Sequence, residues 1–198
     1  MKSILFTDEM VRSTLAGLKT KIRKPVKPQP DDDAKIMIGE MGSSKGVAYI
    51  GDSMSGGHVT RIASPYGQVG DRLWVREAFT LTVPNEKPMY RATWKSSHEI
   101  KWSPSTRMPK WASRTTLEIT DVRIERLQEI TEEEAKAEGV LPCPHPLSKT
   151  DECLDCYLDA GEYVCSFLNL WNRLYAKKGL GVDVNPWVWV IGFRRVEE

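Results

Sequence analysis

The sequence predicts one domain of the α+β class, with short strands and helices mixed along the chain. Its 198 residues are enough for one core-bearing domain and few for two. With 40% hydrophobic and 28% charged residues, the composition excludes a disordered, collagen-like or membrane-spanning chain. Segments with two-residue alternation and segments with helical spacing both occur, which favours a mixed fold. The net charge of +1 provides no chain-wide attraction to nucleic acid, so any such binding must be local.

The first helix is predicted to begin after Thr7, a residue type that caps helices, with Asp8 and Glu9 in its first turn. Apolar residues then recur at helical spacing, at Met10, Val11, Leu15 and Leu18. Residues 19–28 follow with five basic side chains, no acid and two prolines, which favours an extended path. The sequence therefore predicts a short helix followed by an extended basic segment.

The middle of the chain is predicted to be mainly β. Residues 34–62 contain three short β-prone pieces separated by Gly and Ser clusters, which is typical of a meander. Residues 72–77 alternate apolar and charged side chains, as a strand with one buried face does. We expect residues 89–94 to pair with that strand, and residues 95–114 to be irregular.

The last third of the chain combines two strands and two helices. Residues 115–126 alternate again and predict a long strand, and residues 186–193 predict a closing strand rich in β-branched and aromatic residues. Between them, Thr131 and Glu134 have the spacing of a capping box at the start of a helix that ends at Gly139. A second helix is predicted over residues 164–175 from its apolar spacing.

A cysteine-rich insert is predicted at about residues 141–165. All four cysteines of the chain lie there, together with His145. The amino terminus has neither a signal peptide nor a membrane anchor, which predicts a cytoplasmic location without a membrane partner. In a reducing compartment such a cluster favours metal ligands over disulfides. We expect a structural zinc ion with Cys143, Cys153, Cys156 and either His145 or Cys165 as ligands, the alternative being a flexible insert of reduced thiols without metal.

Several segments, in this order, resemble the ASCH family of the PUA-like superfamily. They are residues 17–24 after the first helix, residues 70–75 entering a strand, residues 116–139, and the closing residues 186–193. Residues 64–77 and 108–114 look closer still to a phage- and prophage-encoded branch of that family. The resemblance covers most of the chain and implies a single domain, residues 1–198, with a β-barrel at its centre and helices packed around it.

The resemblance also implies a basic cleft that binds RNA or a modified nucleoside. Lys19, Lys24, Arg114 and Glu138 would line this cleft. The basic residues Lys21, Arg23 and Lys24 would contact phosphates, as clustered positive charges do in nucleic-acid binders. Trp111 and Arg114 would offer a stacking face and a guanidinium to a base. RNA or nucleoside binding is therefore the first functional hypothesis.

The second hypothesis is amide hydrolysis, because compact bacterial members of the family are acetylcytidine amidohydrolases. These enzymes use a Lys, a Thr three residues later and a Glu on the helix after the long strand. Lys19 and Glu138 match two of these catalytic positions, whereas Ile22 occupies the Thr position and cannot act as a nucleophile. A water molecule activated by lysine, with Glu138 as acid and base, is the remaining route. A phage accessory or morphogenetic protein that acts through protein contacts is the third hypothesis.

Overall fold

The structure is a computed structural model that describes residues 1–30, 35–38, 47–51, 60–81, 87–96, 99–143 and 161–196. Within these ranges the helices are α1 (Asp8–Leu15), α2 (Glu132–Ala137) and α3 (Glu162–Tyr175). The strands are β1 (Lys2–Leu5), β2 (Lys21–Pro25), β3 (Lys35–Ile38), β4 (Val47–Gly51), β5 (Thr60–Ala63), β6 (Arg72–Arg76), β7 (Phe79–Thr80), β8 (Met89–Tyr90), β9 (Thr116–Arg126) and β10 (Trp187–Val196). None of these helices is long and apolar enough to cross a membrane.

A five-stranded sheet forms the centre of the fold, in the order β1-β6-β9-β10-β2. Strands β1 and β6 are parallel, and the other neighbours in this sheet are antiparallel. Strands β3, β4 and β5 form a second sheet near β9, and β7 pairs with β8 in a third. Among the described strands, β1 and β2 remain the edges of the main sheet. The α+β class predicted from the sequence is confirmed.

Strand β10 is buried on both faces because helices and other strands cover the main sheet from both sides. Its side chains at Trp189, Ile191 and Phe193 join a core with Ile4, Val11 of α1 and Ile22 of β2. Its intervening side chains at Val188 and Val190 join a second core with Phe167 and Trp171 of α3 and Ala135 of α2. The two-residue period of a strand thus separates an α1 side of the sheet from an α2/α3 side.

The predicted helices and the two long strands are confirmed. Thr7 caps α1 by accepting a hydrogen bond from Met10 N. Thr131 caps α2 in the same way, accepting from Glu134 N. The Glu134 carboxylate, however, binds basic side chains of neighbouring strands and does not complete the predicted capping box.

The predicted pairing of residues 89–94 with the strand at 72–77 is wrong. Strand β8 pairs with β7, while the two edges of β6 are occupied by β1 and β9. The sequence analysis assigned no strand to residues 2–5, where only Ile4 and Leu5 are apolar. A strand has only two hydrogen-bonding edges, so β1 and β9 together leave β8 no place beside β6.

The end of α2 packs closely against the end of α1, and Gly139 makes this approach feasible. Gly139 has φ +76°, and a Cβ atom there would lie 2.8 Å from the Cβ atoms of both Lys19 and Ser13. The Ser13 hydroxyl donates to Gly139 O, and Thr20 N donates to Ala137 O. Lys19 is thereby held directly beside the residue that ends α2.

We predict that Gly139→Ala destabilises the chain more than Gly179→Ala does. Both glycines have a left-handed φ, but a Cβ at Gly179 has nothing within 4 Å. Both variants therefore have the same backbone strain, and only Gly139→Ala adds a clash. The free energy of unfolding, from urea denaturation, should fall by at least about 1 kcal/mol more for Gly139→Ala. Equal losses would show that α1 and α2 separate at little cost.

Candidate functional site

Lys19 and Glu138 form a buried ion pair between the segment after α1 and the end of α2. Lys19 Nζ lies 2.8 Å from Glu138 Oε2, and the two side chains are 2% and 4% exposed. Nζ also donates to the carbonyl oxygens of Lys21, at 2.8 Å, and of Glu138, at 2.7 Å. An ammonium group has three N–H donors, so these contacts use all of them. The two predicted catalytic residues are in contact, and Lys19 has no donor left for a ligand.

Arg23 binds the other oxygen of the Glu138 carboxylate. Its Nη1 lies 3.3 Å from Glu138 Oε1, and its side chain is fully buried. The same guanidinium donates to Glu125 through Nε, at 3.0 Å, and to Glu134 through Nη2. The central guanidinium carbon of Arg23 lies over the ring of Phe167, 5.7 Å from the ring centre. Arg23 is therefore fully occupied by protein carboxylates and offers no charge to a phosphate.

Glu134 is the second anion of this network. It accepts from Lys21 Nζ at 2.7 Å and also binds Arg23 and Arg123. Burial alone would raise its pKa, but the hydrogen bond from Lys21 and the charges of Arg23 and Arg123 outweigh burial and lower the pKa to about 2. Lys21 is thus also paired with a carboxylate of the chain.

Lys24 differs from the other cations of β2. It is opposite Trp189 in the register with β10, so its side chain leaves β2 on the α1 side of the sheet, whereas Arg23 is on the α2/α3 side. Among the described residues its ammonium has no hydrogen-bond or ion-pair partner. Burial and the charges of Lys19 and Lys178, opposed by Glu138, lower its pKa to about 8. A half-buried amine that is readily deprotonated therefore adjoins the Lys19–Glu138 pair.

Two tyrosines complete the surroundings of this pair. Burial, together with the charges of Tyr66 and Glu138, raises the pKa of Tyr175 to about 12. Burial also raises the pKa of Tyr66. Both phenols are half-buried and stay protonated at neutral pH, and neither hydroxyl has a hydrogen-bond partner among the described residues. We call Lys19, Lys24, Tyr66, Glu138 and Tyr175 the edge site, because Lys24 belongs to the edge strand β2 and the charges of these residues act on Lys24 or on one another.

Ile22, at the position where the family has a Thr, lies in the core on the α1 side. Its side chain is 1% exposed and is opposite Ile191 in the register. A hydroxyl group at this position would be surrounded by apolar side chains. A buried apolar side chain therefore lies at the position where the resemblance implies a nucleophile.

Arg114 and Trp111 lie at another part of the molecule, beyond β6. Arg114 binds the buried carboxylate of Glu77 through two N–H groups, at 2.9 and 2.8 Å. Its central carbon lies 4.0 Å from the ring centre of Tyr90. Trp111 is 66% exposed. The structure shows no contact of either residue with the edge site.

The predicted zinc ligands lie mostly outside the described residues. His145, Cys153 and Cys156 lie outside the described residues. Cys143 N donates to Glu162 O at 3.1 Å, and Cys165 is buried in α3. Within the described ranges no three His, Cys, Asp or Glu residues form a group that could hold a metal. The zinc ion stays a prediction.

Glu134 and Glu125 were not expected as partners of the basic segment, nor was Tyr175 expected near Glu138 and Tyr66. Glu125 alternates with buried residues of β9, and this was the available signal for a side chain directed at a neighbouring element. For the tyrosines the sequence gives no comparable signal, because residues 66 and 175 approach each other only through the tertiary fold.

We predict that Glu134→Gln destabilises the chain at pH 7, less at pH 3, and has little effect near pH 2. The lowered pKa means that the Glu134 contribution is complete above about pH 4.5 and is lost as the pH falls towards 2. At pH 7 the free energy of unfolding should fall by about 1–3 kcal/mol. Urea denaturation at several pH values measures this, with Glu133→Gln on the same helix as the control. A difference between variant and parent that does not change with pH would contradict the ion-pair network.

The chain was compared with known proteins at three levels. No family model, no curated protein and no solved structure matches it.

Proposed function

We propose that the chain is an ASCH-type, PUA-like protein that binds a modified nucleoside, free or within RNA, at the edge site. The observation that carries this proposal is the amine of Lys24, which has no partner among the described residues and feels the charges of the buried Lys19–Glu138 pair. Buried charges are costly unless they are paired, and clusters of perturbed ionisable groups are concentrated at functional sites.

The chemistry of the edge site suits a base better than a phosphate chain. Lys24 and the hydroxyls of Tyr66 and Tyr175 can donate or accept hydrogen bonds, as the edge of a nucleobase requires. The ring of Tyr175 packs against the ring of Trp171, at 4.3 Å between centres, and Lys178 Nζ lies 5.1 Å from its centre, so the hydroxyl is the part of Tyr175 proposed to meet a base. The cations that would neutralise phosphates, Lys21 and Arg23, are paired with carboxylates.

The PUA-like fold with a central β-barrel is part of this proposal. Three described features support it. The basic strand β2 follows α1 directly, the long strand β9 is followed by the short helix α2 that ends in Glu138, and β10 lies between β9 and β2. This arrangement brings Lys19, which follows α1, into contact with Glu138, which ends α2.

We predict that Lys24→Met weakens the binding of acetylcytidine by about tenfold or more, since it removes a hydrogen bond that involves an ionisable group. Tyr175→Phe should weaken it less, because only one neutral hydroxyl is lost. Isothermal titration calorimetry with acetylcytidine and cytidine measures both effects. Lys27→Met is the matched control, because Lys27 belongs to the same basic segment and is exposed. Binding that is equal in Lys24→Met and Lys27→Met would remove Lys24 from the site.

Amide hydrolysis is the second candidate, and the lowered pKa of Lys24 favours it. The neutral amine of Lys24 takes a proton from a water molecule, and the resulting hydroxide adds to the acetyl carbonyl carbon. The tetrahedral intermediate then breaks its C–N bond, while the Lys24 ammonium returns the proton to the leaving exocyclic amine. The products are acetate and cytidine. Lys19 holds Glu138 in position, and Ile22 takes no part.

If the chain is a hydrolase, acetate release from acetylcytidine should rise with pH through about 8, since the base must be deprotonated. Lys24→Arg should abolish the reaction because a guanidinium stays protonated. Ile22→Thr should not increase the rate, because its hydroxyl would be buried in the core. A rate that depends on Ile22→Thr and not on Lys24 would instead assign the chemistry to the family's Thr position.

A further inference from the structure

A second surface, formed by residues 87–96 and 99–114, concentrates positive charge in a chain that is nearly neutral. This stretch contains seven basic side chains, at Lys87, Arg91, Lys95, Lys101, Arg107, Lys110 and Arg114, and Glu99 is its one acid. Two of these cations are paired, Arg91 with Asp8 and Arg114 with Glu77. The other five are exposed and form no ion pair with a described residue. The whole chain has a net charge of only +1.

The same stretch presents three tryptophans at or near the surface. Trp111 is 66% exposed and Trp94 is 36% exposed. Trp102 is half-buried and meets Trp94 edge to face, with 6.1 Å between ring centres. Exposing a ring as large as that of Trp111 to water is unfavourable unless the ring has a ligand to cover.

Contacts within the stretch fix these residues as one unit on the end of the main sheet. The Tyr90 hydroxyl donates to Ala112 O at 2.9 Å, next to Trp111. Arg114 Nη1 donates to the Thr93 hydroxyl at 3.0 Å, next to Trp94. Ser103 exchanges two backbone hydrogen bonds with Phe79, next to Trp102. A small core of Phe79, Met108 and Ala112 lies underneath. The three tryptophan rings are therefore held by one connected set of contacts and a shared small core.

A buried ion pair between Glu77 and Arg114 supports this surface from below. Glu77 is 1% exposed, and its two carboxylate oxygens accept from Arg114, which also stacks on Tyr90. A planar guanidinium bound at two points has little freedom. Arg114 thus serves as a support for the surface and not as a contact for a base, in contrast to the role that the resemblance implies.

We propose that this tryptophan surface, residues 87–96 and 99–114, binds single-stranded polynucleotides. Bases would stack on Trp111 and Trp94, and the phosphates between them would contact Lys95, Lys101 and Lys110. Exposed aromatic rings interleaved with unpaired cations are the two elements of sequence-tolerant single-strand binding. A duplex keeps its base faces covered, so it could use the lysines and not the rings. The inference goes beyond the proposed function, since it uses none of the edge-site residues.

The surface lies next to the edge site through helix α1. Arg12 Nη1 donates to Ala92 O at 3.2 Å, and the neighbouring Ser13 donates to Gly139 O at 3.1 Å. Consecutive residues of one helix therefore contact the two regions. A polynucleotide bound on the tryptophan surface would be retained near the edge site.

The test is fluorescence anisotropy with fluorescein-labelled 12-mers of uridine and of thymidine, using the full chain. Trp111→Ala should weaken binding by about fivefold or more, and Trp111→Phe should retain most of it, because stacking needs a ring. The pair Lys101→Ala and Lys110→Ala should reduce the slope of log affinity against log salt concentration by about 1.4. The control pair Arg173→Ala and Lys177→Ala, which removes two exposed cations elsewhere, should leave that slope unchanged. The tighter of the two 12-mers identifies the polynucleotide.

Several results would overturn the inference. One is an affinity for the 12-mers that is the same as that of the parent chain in both Trp111→Ala and the Lys101/Lys110 double variant. Another is equal affinity for a 12-base-pair duplex, or equal competition by polyglutamate, which would indicate a general site for polyanions or acidic proteins. Lys24→Met keeps the two proposals separate. It should weaken nucleoside binding at the edge site by about tenfold or more and leave the affinity for the 12-mers unchanged.

Discussion

One buried carboxylate, that of Glu138, is held between an ammonium and a guanidinium. Lys19 takes one of its oxygens and Arg23 the other, and all three side chains are nearly inaccessible to water. Removing such charges from water costs several kcal/mol for each ion, so the arrangement is stable only while every partner is in place. Because Lys19 follows α1, Arg23 belongs to β2 and Glu138 ends α2, the carboxylate joins three elements that are distant in sequence.

Strand β2 separates two kinds of positive charge by its alternation. On the α2/α3 side, Arg23 and Lys21 are neutralised by Glu125, Glu134 and Glu138 and stabilise the fold. On the α1 side, Lys24 has no partner among the described residues and is the cation that the proposed function assigns to a ligand. The basic segment thus contains paired cations beside one without such a partner, and the direction of each side chain distinguishes them.

This separation explains how much could be predicted from the sequence. The helices, β9 and β10 follow from period and capping, which are local properties. The contact between Lys19 and Glu138 was expected from the family resemblance, and the structure places the two side chains together. The sequence analysis expected Lys21 and Arg23 to be available to phosphates, because a basic run does not show that acids from β9 and α2 lie over it. Likewise, Arg114 was expected to contact a base, but it binds Glu77. These two residues are far apart in sequence, so no local pattern indicates that they pair.

The position of β10 has a consequence for the synthesis of this chain. Strand β2 is completed within the first thirty residues, yet its hydrogen-bonding neighbour in the sheet is β10, residues 187–196. A ribosome therefore releases Lys19, Arg23 and the apolar side chains around them long before the strand that covers them exists. Such late, long-range pairing slows folding and leaves an open strand edge exposed to other chains. Arrest of translation before residue 187 would leave β2 without its neighbour β10, as an intermediate whose unpaired strand edge is prone to aggregation.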